Sequence, residues 1–235
     1  MTRTTHIFFD FFGTLVEYSA SRTEQGYERS HQVLLSNGAA LTYERFLEKW
    51  AATWRTFDLQ AEANHDEFSM DDVVSGFFEK ALALSADPDK VRHFRDVYLK
   101  EWNKGVQYIA EVPALLKQLS ESHTLALVTN THSADFVHQH LRNIGVSHFF
   151  SAVVTSVEHG KRKPHASIFE EALRITKGRS DQSIYVGDSF QADYIGSTGV
   201  GMRCLLIDPQ KLHGVREEDR IESVLDVCRS PALDA

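Results

Sequence analysis

Cysteine is scarce in this chain of 235 residues: Cys204 and Cys228 are the only two. That is too few for a disulfide framework, so a reducing, cytoplasmic location is expected. Long apolar runs are lacking as well. None approaches the roughly 18 residues of a membrane span. Basic charge is in deficit, with a net charge of −8, which disfavours nucleic acid or an anionic membrane as a partner. It leaves room for an anionic small-molecule substrate, because a few cations and a metal reverse the sign locally. No internal repeat and no low-complexity tract occur. The opening Thr2-Arg3-Thr4-Thr5 leads straight into a strand-like run without a signal-peptide pattern. With 42% hydrophobic and 25% charged residues, the composition is that of an ordinary globular protein, and disorder is not expected. The length suits one large domain, or a core with a smaller insert.

What is present is concentrated in His6-Ile7-Phe8-Phe9-Asp10-Phe11-Phe12-Gly13-Thr14-Leu15. An apolar run delivers one carboxylate, and a glycine turn follows. This reads as a buried strand over about residues 5–10 with Asp10 at its carboxyl end. Ligands bind there in open α/β sheets, so Asp10 is a candidate nucleophile or metal ligand. Two residues further on stands Phe12, whose side chain can neither give nor take a proton.

Beyond this strand the texture is helical from about 16 to 104. Tyr27, His31 and Leu34 or Leu35 share a helical face. Thr42 is placed to cap a helix through Phe46, Leu47, Trp50 and Trp54. Ser69 with Asp72 resembles a capping box, and Asp87-Pro88 is an N-cap followed by proline at the first helical position. Four such helices make a compact bundle. From about 105 onward, buried apolar runs alternate with amphipathic helices: Leu125–Val128 ending in Thr129-Asn130, a helix capped by Ser133 and stopped by Gly145, Ala152–Val154, and Ser183–Val186 ending in Gly187-Asp188. Strand Arg203–Ile207 and a final helix over Arg220–Cys228 complete the series. Such alternation predicts a parallel sheet with helices on both faces. The expected fold is therefore α/β, a Rossmann-like core of residues 1–15 and 105–235 interrupted by a helical cap at 16–104.

Three strand ends carry polar residues: Asp10 with Thr14, Thr129 with Asn130, and Asp188 with Ser189 and Asp193. Between the last two lies Lys161-Arg162-Lys163-Pro164, ahead of a helix. Taken singly, each is at home in a turn or a solvated loop. Together, at neighbouring strand ends, they supply carboxylates for a hard cation, hydroxyl and amide donors for an anion, and a lysine. That set suits phosphoryl transfer, which needs positioning and charge neutralisation. Mg²⁺ is the metal that favours one or two carboxylates with substrate oxygens and water.

These residues resemble the haloacid dehalogenase (HAD) superfamily, most of whose members are phosphatases. Its Asp-x-Asp-x-Thr motif is met by Asp10 and Thr14 but not by Phe12. Its Thr or Ser at a strand end is met by Thr129, its Lys-Pro by Lys163-Pro164, and its Gly-Asp with a second Asp by Gly187-Asp188 and Asp193. The resemblance spans the whole chain, and a helical insert after the first motif is the subclass I arrangement. It implies Asp10 as nucleophile, carrying an aspartyl-phosphate. It implies a Mg²⁺ site of Asp10, Asp188, Asp193 and the backbone carbonyl of Phe12. Thr14, Thr129 and Asn130 would hold the phosphoryl group, and Lys163 would neutralise charge.

In the family's phosphatases, position 12 is an Asp that protonates the leaving group and then activates water. General acid–base catalysis contributes roughly 10²–10⁴-fold, so Phe12 opens three readings. The first is a Mg²⁺-dependent phosphohydrolase that draws its proton from elsewhere (Glu17, Tyr18 or His31), or that takes acyl phosphates or phosphoanhydrides. The second is a 2-haloacid dehalogenase, in which an aromatic residue stands at this place and halide leaves unprotonated; a phosphonate hydrolase using Lys49 or Lys80 is a variant. Those dehalogenases work without metal and typically lack the Gly-Asp motif, which is intact here. The third is a member that binds phosphate or is slowly phosphorylated without efficient turnover. Histidines 138, 140, 159 and 165 read as exposed, with His159 and His165 flanking Lys163. The cap aromatics read as bundle core.

Overall fold

The computed structural model describes residues 3–18 and 26–233. In chain order it comprises β1 (His6–Phe9), β2 (Val16–Tyr18), α1 (Glu28–Ser36), α2 (Tyr43–Asn64), α3 (Met70–Gly76), α4 (Pro88–Trp102), β3 (Val106–Tyr108), α5 (Val112–Ser120), β4 (Thr124–Thr129), α6 (Ala134–Ile144), β5 (Phe150–Thr155), α7 (Ser156–His159), α8 (Ala166–Thr176), β6 (Ser183–Gly187), α9 (Gly196–Gly199), β7 (Arg203–Ile207) and β8 (Arg220–Ile221). The chain divides into two compact units, residues 1–17 with 108–235, and residues 18–107.

In the first unit, β5-β4-β1-β6-β7-β8 form one sheet, parallel at every pairing. Ile7, Phe8 and Phe9 are all fully buried. An unbroken apolar run in a central strand is what a sheet covered on both faces requires. Phe8, Ala126, Val128 and Tyr185 pack with Ile168, Phe169 and Ala172 of α8. By the pleat of the strands, Ile7, Phe9, Leu125 and Leu127 point to the opposite face. Phe9 stands level with Leu127 of β4 and Val186 of β6, so the carboxyl ends of the three central strands are neighbours. This register creates the site.

The second unit is a four-helix bundle with an aromatic centre of Phe46, Trp50, Phe77, Phe94 and Tyr98. Trp50 meets Phe77 and Tyr98 edge to face at 4.9 Å each. Its helices start where local chemistry dictates. Thr42 accepts from the Arg45 amide, Ser69 and Asp72 form a full capping box, and Asp87 accepts from the Asp89 and Lys90 amides beside Pro88. The aromatics are bundle core, as the spacing predicts.

Two expectations need correction. Ser133 precedes α6 but its side chain makes no cap hydrogen bond; the turn is tied instead by the Thr131 hydroxyl, which accepts from the Ser133 amide at 3.2 Å. Arg220–Cys228 is not one helix. Arg220 and Ile221 pair with Leu206 and Ile207 as an edge strand. A short 3₁₀ turn, Val224–Arg229, then begins at a Ser223–Asp226 capping box. Capping and an open strand edge win over a weak helical period.

Phe94 lies at the centre of the bundle, fully buried. Phe94→Ala is expected to destabilise the helical unit by roughly 3–5 kcal/mol, read by urea unfolding with tryptophan fluorescence. A loss below about 1 kcal/mol would contradict this packing.

Candidate active site

The turn after β1 places the first carboxylate. Leu15 and Val16 donate their amides to the Phe11 carbonyl at 2.9 and 3.1 Å, and the Asp10 amide donates to the Val186 carbonyl at 2.9 Å. Gly13 has φ +81°, and a Cβ there would sit 2.3 Å from Asp188 Oδ2. Only glycine satisfies both the backbone and the close approach. Gly187 has the same steric role on the other strand, since its Cβ would fall 2.3 Å from Asp193 Oδ2.

Lys163 is the hub of the site. It is 3% exposed, and its Nζ lies 2.9 Å from Asp10 Oδ1 and 2.6 Å from Asp193 Oδ1. It also donates to the Tyr185 hydroxyl at 2.8 Å. An ammonium has three protons, and all three have acceptors. Burial opposes its charge, but the adjacent Asp10 and Asp193 carboxylates more than offset this, so its pKa lies above the ordinary lysine value. Asp193 is fully buried, and its Oδ2 accepts the Ser189 amide at 2.9 Å. Both of its oxygens are thus engaged, and its clearest role is to hold Lys163. Tyr185 passes the network on, donating to the Val128 carbonyl at 2.7 Å.

Asp10, Asp188 and Asp193 each offer an oxygen within 4.8 Å of the others. Three carboxylates therefore face one bonded ammonium. Burial, followed by the charges of Asp10 and Asp193, pushes the Asp188 pKa up to about 7. A set of hard oxygen donors short of positive charge fits a divalent cation such as Mg²⁺. Thr14 Oγ1 and Thr129 Oγ1 are buried without a hydrogen-bond partner. Buried hydroxyls are ordinarily paired, and this pair is suited to the oxygens of a bound anion.

The structure thus brings together Asp10, Lys163, Asp188 and Asp193, with Thr14 in the turn after β1 and Thr129 at the end of the neighbouring strand β4. Asn130 has a partner that sequence reasoning did not foresee. Its amide oxygen accepts from the Lys163 backbone amide at 2.8 Å and its nitrogen donates to the Lys163 carbonyl at 3.1 Å. It grips the lysine loop through its oxygen and one of its two N–H groups. Tyr185 was missed by sequence reasoning. The available signal was an aromatic residue with a polar tip in an otherwise apolar strand.

Phe12 turns into an aromatic cluster, 4.9 Å from Phe11, 6.4 Å from Phe136 and 6.3 Å from His140 between ring centres. His140, expected to be exposed, is buried. It packs edge to face on Phe136 at 4.5 Å, and its Nδ1 is 2.8 Å from the Tyr108 hydroxyl. Burial lowers its pKa to about 4, so it is neutral at physiological pH. A helix facing an apolar wall draws the ring inward. Both His159 and His165 bond to Ser167 Oγ at 2.8 Å. Of the proton sources and amines considered in the insert, His31 Nε2 lies 2.9 Å from the Leu41 carbonyl, Lys49 donates to the Ala81 carbonyl at 2.7 Å, and Tyr18 stacks on Trp102.

The model of the haloacid dehalogenase-like hydrolase family matches residues 35–207, and the chain belongs to that family of hydrolases. A ribulose-1,5-bisphosphate 5-phosphatase of Halopiger xanaduensis is 24% identical over 93% of this chain and 89% of that protein. A glyceraldehyde 3-phosphate phosphatase of Methanothermobacter thermautotrophicus is 40% identical over 82 residues, a stretch spanning 35% of each chain. Among solved structures, a 2-haloacid dehalogenase of Pseudomonas syringae superposes with a TM-score of 0.71 at 22% identity, covering 97% of this chain and 98% of that one. A magnesium-bound HAD hydrolase of Bacillus subtilis gives 0.67 at 21%, with the same coverage. At these identities the structural likeness shows the fold alone. Among the described residues, no helix is long and apolar enough to cross a membrane.

Two outcomes are expected. Lys163→Met strands Asp10 and Asp193 without their counter-charge and should destabilise the protein by about 3–5 kcal/mol; a neutral result in chemical denaturation would contradict the hub. Asp188, whose pKa is raised above its ordinary value, binds its proton more tightly in the folded than in the unfolded state. Its contribution to stability is therefore full at low pH and is lost as pH rises through about 7. Melting of metal-free protein between pH 5 and 8 should show a fall for the wild type that is smaller in Asp188→Asn. Parallel curves would contradict the shift.

Proposed function

We propose that this hydrolase is a Mg²⁺-dependent phosphohydrolase that acts through an aspartyl-phosphate on Asp10 and takes a small phosphorylated metabolite. The observation that carries the reading is the surplus of carboxylate around Lys163, with Asp10, Asp188 and Asp193 each offering an oxygen within 4.8 Å of the others. A surplus of this kind calls for a cation. The phosphatase names of the relatives support the same chemistry.

Asp10 is the nucleophile. Lys163 fixes its Oδ1, which leaves Oδ2 to attack phosphorus. Asp193 holds Lys163 charged and in place, and Asn130 fixes the loop that carries it. The hydroxyls of Thr14 and Thr129 receive phosphoryl oxygens that would otherwise leave them unpaired. Asp188, the Asp10 carboxylate and the Phe12 backbone carbonyl would hold Mg²⁺. When bound, the cation supplies positive charge against the phosphoryl oxygens. Asp193 is the least available of the acids for direct ligation, since both its oxygens are engaged.

The Phe12 cluster favours a second reading, hydrolysis of a 2-haloacid with Asp10 attacking carbon. Halide leaves without protonation, and an aromatic wall suits it. Asp193 would hold Lys163 in either reaction, but Asp188 has no task in this one, which places it second.

Phosphate release from p-nitrophenyl phosphate and acetyl phosphate with Mg²⁺, set against halide release from 2-chloropropionate without metal, separates the two. Phosphate release should fall by roughly 10⁴-fold or more in Asp10→Asn and disappear with a chelator. Halide release without phosphate release would establish the second reading instead.

A further inference from the structure

The three acceptors around the Lys163 ammonium are not equivalent. Two are carboxylate oxygens, on Asp10 and Asp193. The third is the phenol oxygen of Tyr185, at 2.8 Å. An ammonium has no lone pair with which to accept. The phenolic proton therefore goes the other way, to the Val128 carbonyl at 2.7 Å. This fixes the direction of the chain, from lysine to phenol and from phenol to backbone. Tyr185 is fully buried, and its ring packs edge to face on Phe169 at 5.2 Å. A ring packed in this way holds its hydroxyl in one place.

Both ends of the chain lie at the site. Phe9 and Leu127 are the last paired residues of β1 and β4. Val128 is the next residue of β4, and Thr129 follows it with its buried hydroxyl unpartnered. Tyr185 stands on β6, on the other side of β1 from β4. One phenol thus spans β1 and ties the lysine to the strand that presents Thr129.

Asp10 is not a constant anchor for Lys163. When its Oδ2 bonds to phosphorus, the leaving oxygen departs with the electron pair, and Oδ1 becomes the carbonyl oxygen of an acyl phosphate. A neutral carbonyl accepts more weakly than a carboxylate. Tyr185 takes no part in these bond changes, and its own partner is backbone.

We propose that Tyr185 is a positioning residue, whose hydroxyl holds the Lys163 ammonium in place beside Asp10 and Thr129 in the free and the phosphorylated forms alike. This rests on the phosphohydrolase reading. The phenol acts on the bond-making steps, where the placement of a charged group counts most. Substrate binding depends on it little.

Tyr185→Phe removes one oxygen and keeps the ring. The test is steady-state phosphate release with Mg²⁺ from p-nitrophenyl phosphate and acetyl phosphate by the wild type and this variant. Circular dichroism gives the folded fraction of each. The expected result is a kcat lower by roughly 10-fold or more with KM nearly unchanged. A hydroxyl that served the fold alone would lower the melting temperature and leave the kcat of folded protein as it was. That result would overturn the proposal while leaving the phosphohydrolase reading intact. No release by the wild type from either substrate would overturn both. A second measurement needs no change at the phenol. In wild type carrying isotope-labelled lysine, nuclear magnetic resonance should show an ammonium signal protected from solvent exchange, assigned to Lys163 by its loss in Lys163→Arg. The signal should persist when Mg²⁺ and beryllium trifluoride, a mimic of the phosphoryl group, are added. A signal that is absent, or that vanishes with the mimic, would overturn the proposal even where Tyr185→Phe fails to fold.

Discussion

The contact on which the rest depends is the buried ammonium of Lys163 between Asp10 and Asp193. Each charge pair is worth about 4 kcal/mol at an effective dielectric of about 20. Taking each ion out of water costs several kcal/mol. The two are of similar size, so the cluster is close to neutral as a source of stability. Its value lies in geometry. It fixes one oxygen of Asp10, draws the loop after α7 onto the sheet, and leaves the local charge unbalanced toward a cation. The supporting contacts serve that lysine: Asn130 at its backbone, Tyr185 at its tip and Ser189 behind its second carboxylate. The close approaches at Gly13 and Gly187 let the acids share one small space.

Against this polar half stands an apolar one. Phe12 follows Asp10 by two residues, yet its ring belongs to a different environment, shared with Phe11, Phe136 and His140. The side chain at position 12 therefore belongs to this packing cluster, while the Lys163 network shapes the charge around Asp10.

Much of this was legible in the sequence because it lies in strictly local patterns. The unbroken Ile7-Phe8-Phe9 run identified a doubly covered central strand. Ser69–Asp72 and Asp87-Pro88 marked helix starts through bonds made within a few residues. The strand-end positions of Asp10, Thr129 and Asp188 followed from where apolar runs stop. What escaped depends on contacts between distant segments. Nothing local to Asn130 says that its amide closes on Lys163, thirty-three residues away. Nor does Tyr185 announce that its hydroxyl will meet that lysine. His140 was misjudged because its burial is set by Phe11, Phe12 and Tyr108, none near it in sequence. The last segment was misread because pairing of Arg220 and Ile221 with β7 overrode a helical period.

The most direct measurement is a crystal structure of the protein with Mg²⁺ and beryllium trifluoride, a mimic of the phosphoryl group. The account predicts the mimic on Asp10 Oδ2, fluorines received by Thr14 and Thr129, the cation against Asp10 and Asp188, and Lys163 still bonded to Asp10 and Asp193. A mimic bound away from Asp10, or a cation that leaves Asp188 unligated, would contradict it.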